Sequence, residues 1–266
     1  MSPRLLPAFG AALLALASLA HAQAPQPAPT YAVLSLVGDQ LDAVTYQPQT
    51  GTLLNANSHQ PMPMKADILD TAALRAMNKA LRAAGPVTDV ALLAASEPSV
   101  FTNVPRYFVG NQVKLPADLE AAIAEAKANR LVLITKHYGE ARLRSGDGFI
   151  GSGKLEGLGF YVDTVHQMHN LDENKRAPGY LAPFVYVDVT LVDTASHQIL
   201  RQTTITASET IAAADNRDGA GAWEVLNAEQ KIAHLTNLLT QGLADAVPRL
   251  VQPDASARPA AAASAS

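Results

Sequence analysis

The 266-residue chain has no cysteine, one tryptophan and only 5% aromatic residues. Without cysteine there is no disulfide framework, no thiolate metal site, no cysteine nucleophile and no lipidated cysteine. Charge is sparse as well, at 17% of residues and a formal net charge of −4, which excludes a nucleic-acid binder that works through a strongly basic surface. Beyond the N-terminal segment no stretch is apolar enough to span a bilayer, which takes about 20 residues. What the chain does have is a 48% hydrophobic content, too high for disorder, with no collagen or coiled-coil bias. This is the composition of a mildly acidic globular protein.

The first residues read MSPRLLPAFGAALLALASLAHAQA. Arg4 provides a positive start, and Leu5 to Leu19 is apolar apart from Pro7, Gly10 and Ser18. Ala20-His21-Ala22 then fits the small-x-small rule of signal peptidase. Residues 1–22 are therefore expected to be a secretory signal, cut after Ala22 or after Ala24, and the mature chain is expected in the periplasm or outside the cell. Residues 23–30 are a Pro/Ala linker, and residues 253–266 are a low-complexity Ala/Pro/Ser tail. Neither can offset its conformational entropy by burial, so both are expected to be disordered. Residues 31–252 remain for one domain, with no interior linker to divide them.

Tyr31 to Val37 reads as a strand, Val44 to Tyr46 as a shorter one, and residues 47–64 as a loop. Leu74, Met77 and Leu81 mark one face of a helix over 67–84, stopped by Gly85-Pro86. Val90 to Ala95 reads as a buried strand, a helix starts at Pro116 with Leu119 and Ile123 inward, and Leu131 to Thr135 is another apolar strand. In Val185 to Val192 the apolar residues alternate, predicting an antiparallel strand buried on one face only, with Thr190 on the other. His197 to Thr206 is its partner, with Ile199 and Ile205 on one face. The last helix runs from about Asn227, in a capping box with Gln230, to Val247, where Pro248 ends it. The fold class is α/β with an α+β tendency in the second half: one domain, a mixed β-sheet, and helices on at least one face.

The segment from Ser145 to Tyr161 carries six glycines. It matches both GxGxxG, at Gly146 to Gly151, and GxxxxGK, at Gly148 to Lys154. A phosphate loop needs a strand just before and a helix just after. Here the preceding apolar strand ends near Thr135, Leu155 stands where Ser or Thr would ligate magnesium, and Gly157 and Gly159 oppose a helix. The segment is read as a glycine-rich loop or twisted strand pair, and no cofactor is expected. As a surface loop it offers Gly151, Gly153, Lys154, Gly157 and Gly159 as candidate binding residues. His166 and His169 form an HxxH pair near Asp163, Asp172 and Glu173. On a helix both imidazoles would share a face, so His166, His169 and Asp163 are the alternative metal ligands to the preferred reading of no metal. His137, at a strand end beside the glycine-rich loop 146–159, is the candidate centre of a hydrolase. Trp223 is read as a lid on the last helix.

Phe184 to Thr206, a strand reading VYVDVTLVD, a turn and a second strand, resembles the periplasmic α/β domains of bacterial envelope accessory proteins of the curli secretion lipoprotein type. The glycine-rich stretch before it and the closing helix after it extend the likeness to about half the chain. The resemblance implies an exported binding or accessory protein of the cell envelope, non-enzymatic, with another envelope protein as partner. The alternative is an exported hydrolase around His137.

Overall fold

One long strand organises the molecule. A computed structural model describes residues 28–38, 40–48, 56–64, 68–85, 87, 89–146, 148–170, 175–213 and 221–251. The segments read from sequence as signal and tail, and most of the one read as linker, lie outside them. In chain order the elements are β1 (Thr30–Leu36), β2 (Gln40–Thr45), β3 (Ser58–Pro63), α1 (Ile68–Ala84), β4 (Asp89–Leu93), α2 (Pro98–Thr102), α3 (Val104–Tyr107), β5 (Phe108–Val109), β6 (Gln112–Val113) and α4 (Ala117–Glu125). They continue with β7 (Arg130–Lys136), β8 (Tyr138–Glu140), β9 (Leu143–Ser145), β10 (Gly148–Ile150), β11 (Lys154–Asn170), β12 (Lys175–Asp193), β13 (Ile199–Ser208), β14 (Ile211–Ala212), a 3-10 turn (Ala222–Val225) and α5 (Ala228–Val251).

Along one edge β12 pairs antiparallel first with β11 and then, from Val187 onward, with β7. Its other edge takes β14 and β13. β1 lies parallel to β7, and β2 parallel to β11. β1 and β2 thus run head to tail, as do β7 and β11. β4 (parallel to β1) and β3 (antiparallel to β2) close the far edge, so the sheet is mixed. At the crank between β1 and β2 the Asp70 carboxylate accepts the Val37 and Gly38 amides at 3.1 and 3.2 Å, tying the sheet to the first turn of α1.

Alternation along the strands sorts side chains into two layers. Val33, Val132, Ile134, Val185, Val187, Val189, Leu158 and Phe160 face α1 and α5, where they meet Met77, Leu81, Leu235, Leu239 and Leu243. The opposite face is covered in two parts. Ala32, Leu34, Leu131 and Leu133 pack on Val100, Leu119 and Ile123 of α2 and α4. Val44, Tyr161, Tyr180, Phe184 and Tyr186 pack on Leu143 and Leu155, under the β8–β10 flap.

This second cover corrects one expectation. Val185 to Val192 is not half-buried: Tyr186 and Thr190 are fully enclosed too. Four further readings change. Residues 58–63, read as loop, pair with β2 as an edge strand. β4 is a half-exposed edge strand rather than a buried one, with Leu92 42% exposed. A register shift at Leu191/Val192 turns Ile199 toward the α4 cluster and leaves Ile205 on the α5 side, so the two do not share a face. α5 continues through Pro248 to Val251 instead of stopping there. The capping box holds: Gln230 N–H donates to Asn227 Oδ1 and Asn227 N–H to Gln230 Oε1, each at 2.9 Å.

The glycine-rich segment is strand rather than loop over much of its length. β9 and β10 form a hairpin, and β11 starts at Lys154, so no helix follows the glycines. Among the described residues no helix is long and apolar enough to cross a membrane.

Candidate functional site

β11 positions the candidate site, and it does so by first pressing close to β2. A Cβ at Gly159 would sit 2.0 Å from the Asp42 carbonyl oxygen, so only glycine permits this pairing. Four residues later the ladder to β12 slips between Asp163 and Gln167. Asp163, 1% exposed, turns its carboxylate back on the strand. It accepts the Val165 amide (2.8 Å), the His166 amide (2.9 Å) and His166 Nδ1 (2.6 Å). A carboxylate oxygen only accepts, so His166 Nδ1 is the donor in this contact. Facing this bulge, Gly179 has φ +96°, and a Cβ there would meet Asp163 O at 2.5 Å. The slip therefore depends on glycine in the partner strand.

Beside the bulge lies a cavity of about 530 Å³. Tyr46 follows β2, Ile150 ends β10 and Gly151 and Ser152 follow it, Tyr161, Asp163, His166, Gln167 and Met168 come from β11, and Tyr180 comes from β12. Tyr161 and Tyr180 stack with centroids 6.1 Å apart and planes 11° apart. Tyr46 tilts against His166 at 4.9 Å. The Ser152 amide donates to Tyr161 Oη (3.3 Å), and Asn57 Nδ2 donates to Ser152 O (2.6 Å). Tyr180 is 2% exposed and lies in the cavity wall. Burial pushes the Tyr180 phenol far above its ordinary value, and Tyr161, Asp163 and Tyr46 add to that push. Tyr161 is raised too, chiefly by burial, with the Ser152 hydrogen bonds opposing.

A second polar cluster surrounds His137. Its Nδ1 lies 3.1 Å from Asp188 Oδ2, and Thr204 Oγ1 donates to Asp188 Oδ1 at 2.5 Å. A histidine held by a carboxylate is the base-and-orienter half of a hydrolytic triad. Its Nε2, however, lies against β8, 2.9 Å from where a Gly139 Cβ would be, and no serine or threonine hydroxyl bonds to it among the described residues.

Of the five residues proposed from the glycine-rich segment, only Gly151 lines the cavity. Lys154 pairs with Glu140 of β8, Gly157 abuts the Lys136 side chain, and Gly159 abuts β2. Gly153 sits at the turn into β11, where its carbonyl accepts the Ala141 amide at 2.9 Å. His166 and Asp163 do meet, but on a strand bulge instead of a helix face. His169 belongs to the same strand, and Asp172 and Glu173 lie outside the described residues. No group of three His, Asp or Glu that could hold a metal occurs among the described residues. Trp223 packs edge-on against Phe160 (5.6 Å, 86°) and beneath Lys231 Nζ (4.0 Å), clasping the start of α5. Sequence reasoning missed the three tyrosines. Tyr46, Tyr161 and Tyr180 share no motif, and only the β2–β11–β12 pairing unites them.

No family model matches the chain, and no curated protein matches it. Several solved structures are similar to it at low identity. A DUF330-family protein from Xanthomonas campestris is 10% identical with a TM-score of 0.38, the match covering 85% of each chain. The PelC dodecamer from Paraburkholderia phytofirmans is 15% identical with a TM-score of 0.32, over 85% of this chain and 90% of that one. A lipoprotein from Neisseria meningitidis is 12% identical with a TM-score of 0.28, over 83% and 99%.

Proposed function

We propose that this chain is an exported, non-enzymatic binding protein of the bacterial cell envelope, and that its ligand occupies the cavity beside the β11 bulge. The observation that carries the reading is the cavity itself, where Tyr46, Tyr161 and Tyr180 meet the Asp163–His166 pair along one wall. The volume falls in the ~300–1,000 Å³ range of small-molecule sites. Export rests on the signal-type sequence of residues 1–22, and the accessory role would be to pass the ligand to or from another envelope protein. The test is a thermal-shift screen of the chain from Gln23 against a metabolite library, repeated on Ile150→Trp, which narrows the cavity. Compounds that stabilise the wild type and not the variant are expected. A library without such compounds would sink the reading.

The His137–Asp188 contact favours a second reading, an exported hydrolase. It requires turnover of activated ester substrates that disappears in His137→Gln, and absence of turnover in the wild type excludes it for that class.

A further inference from the structure

We infer that the cavity selects a quaternary ammonium group, a methylated organic cation carrying a short hydrocarbon arm; this rests on the reading of the cavity as the ligand site. Tyr46, Tyr161, Tyr180 and His166 lie at its wall; Tyr161 and Tyr180 are buried there and stacked on each other, so Tyr46 and the exposed His166 present ring surface to a ligand, and the faces of such rings are electronegative. The one carboxylate among its described lining residues, Asp163, is almost fully buried at the wall. No lysine or arginine is among the described lining residues. An anionic ligand would therefore bury its charge beside Asp163 with no counter-cation, a costly arrangement. The same field disfavours a phenolate at Tyr180, whose proton is held by burial and then by its neighbours Tyr161, Asp163 and Tyr46.

Hydrogen bonding narrows the class. The two Asp163 oxygens already accept three N–H groups, and Tyr161 Oη is taken by Ser152. A primary ammonium, with three protons to place, finds the carboxylate engaged. A quaternary ammonium has no proton to place. It needs only ring faces and a fixed negative charge nearby, and Ile150 and Met168 give its arm an apolar wall.

The experiment is calorimetric titration of the mature chain with choline, tetramethylammonium, the neutral choline isostere 3,3-dimethylbutanol, and glucose. Choline should bind at least tenfold more tightly than dimethylbutanol, because the two differ in charge and hardly in shape. Tyr46→Leu, which removes a ring outside the regular strands, should weaken choline at least tenfold. Tyr180→Phe, which keeps its ring, should retain most of the affinity. Equal affinity for choline and dimethylbutanol would overturn the inference. So would glucose binding without choline, or choline binding indifferent to Tyr46→Leu. If the cations fail while another compound binds in a manner blocked by Ile150→Trp, the cation inference falls and the binding reading stands. If nothing binds, both fall.

Discussion

Thr190 shows how one side chain records the layer above it. Its apolar neighbours Val189 and Leu191 face the α1–α5 side, while Thr190 faces the second cover, fully enclosed and with its hydroxyl unpaired. Thr190→Val removes that hydroxyl at nearly constant shape, so it should raise stability by about 1 kcal/mol in urea melts. Thr190→Asp and Val189→Asp should both cost several kcal/mol, because each buries an unpaired charge. A mild effect of Thr190→Asp would mean that the second cover is open there. At the end of the same strand, Asp193 illustrates the opposite case of a well-served polar group. Its carboxylate accepts the Ser196 amide and hydroxyl at 3.0 Å and pairs with Arg130 at 2.5 Å. These contacts, the Ser196 amide first, hold its pKa below the ordinary 3.8. A group depressed on folding stabilises the protein above its unfolded pKa, and that contribution fades as pH falls through the folded value. The stability gap between the wild type and Asp193→Asn should therefore be full at pH 6 and shrink below about pH 4. A gap that does not change with pH would show that the carboxylate charge contributes nothing.

At the scale of elements, glycine spacing and capping decide where strands approach and helices begin. Gly159→Ala should cost about 3 kcal/mol or more, because its Cβ would overlap the Asp42 carbonyl and force β2 away from β11. Asn227→Ala should cost about 1 kcal/mol, since it removes the acceptor of the Gln230 amide at the start of α5. Chemical denaturation measures both, and a neutral Gly159→Ala would mean that β2 is not held where the pairing places it. These two elements also mark what could be read from the chain. α1, α4, β7 and the α5 cap were legible because each rests on local periodicity or a capping pair. The double burial of β12 was not, because its second cover comes from β8 to β10 and from α4, distant in sequence and short. At the Asp163 bulge the sequence showed only an HxxH with a nearby acid; the pair that meets is Asp163 and His166, on a register slip that leaves no periodic signal. The edge strand β3 was hidden by its two prolines, which fit only where one side of a strand is unpaired.

At the scale of the whole molecule, buried phenols report on the integrity of all three clusters at once. Tyr31 belongs to the α1–α5 cluster, Tyr107 to the α4 cluster, and Tyr161, Tyr180 and Tyr186 to the cluster under the β8–β10 flap. In each of the five, burial is the first cause raising the pKa above 10.0. A group raised on folding adds stability that is whole below its unfolded pKa and is lost as pH climbs toward the folded value. The folded state should therefore weaken above about pH 10, as the unfolded chain releases phenolic protons that the native one retains. Because β12 runs through the sheet that all three clusters share, they should fail together. Phenolate absorbance near 295 nm and far-ultraviolet circular dichroism, followed over the same alkaline titration, should give one coincident transition. Two separated steps, with some buried tyrosines ionising while the secondary structure persists, would show that the flap opens apart from the helical face and that the cavity it covers is not part of the cooperative core.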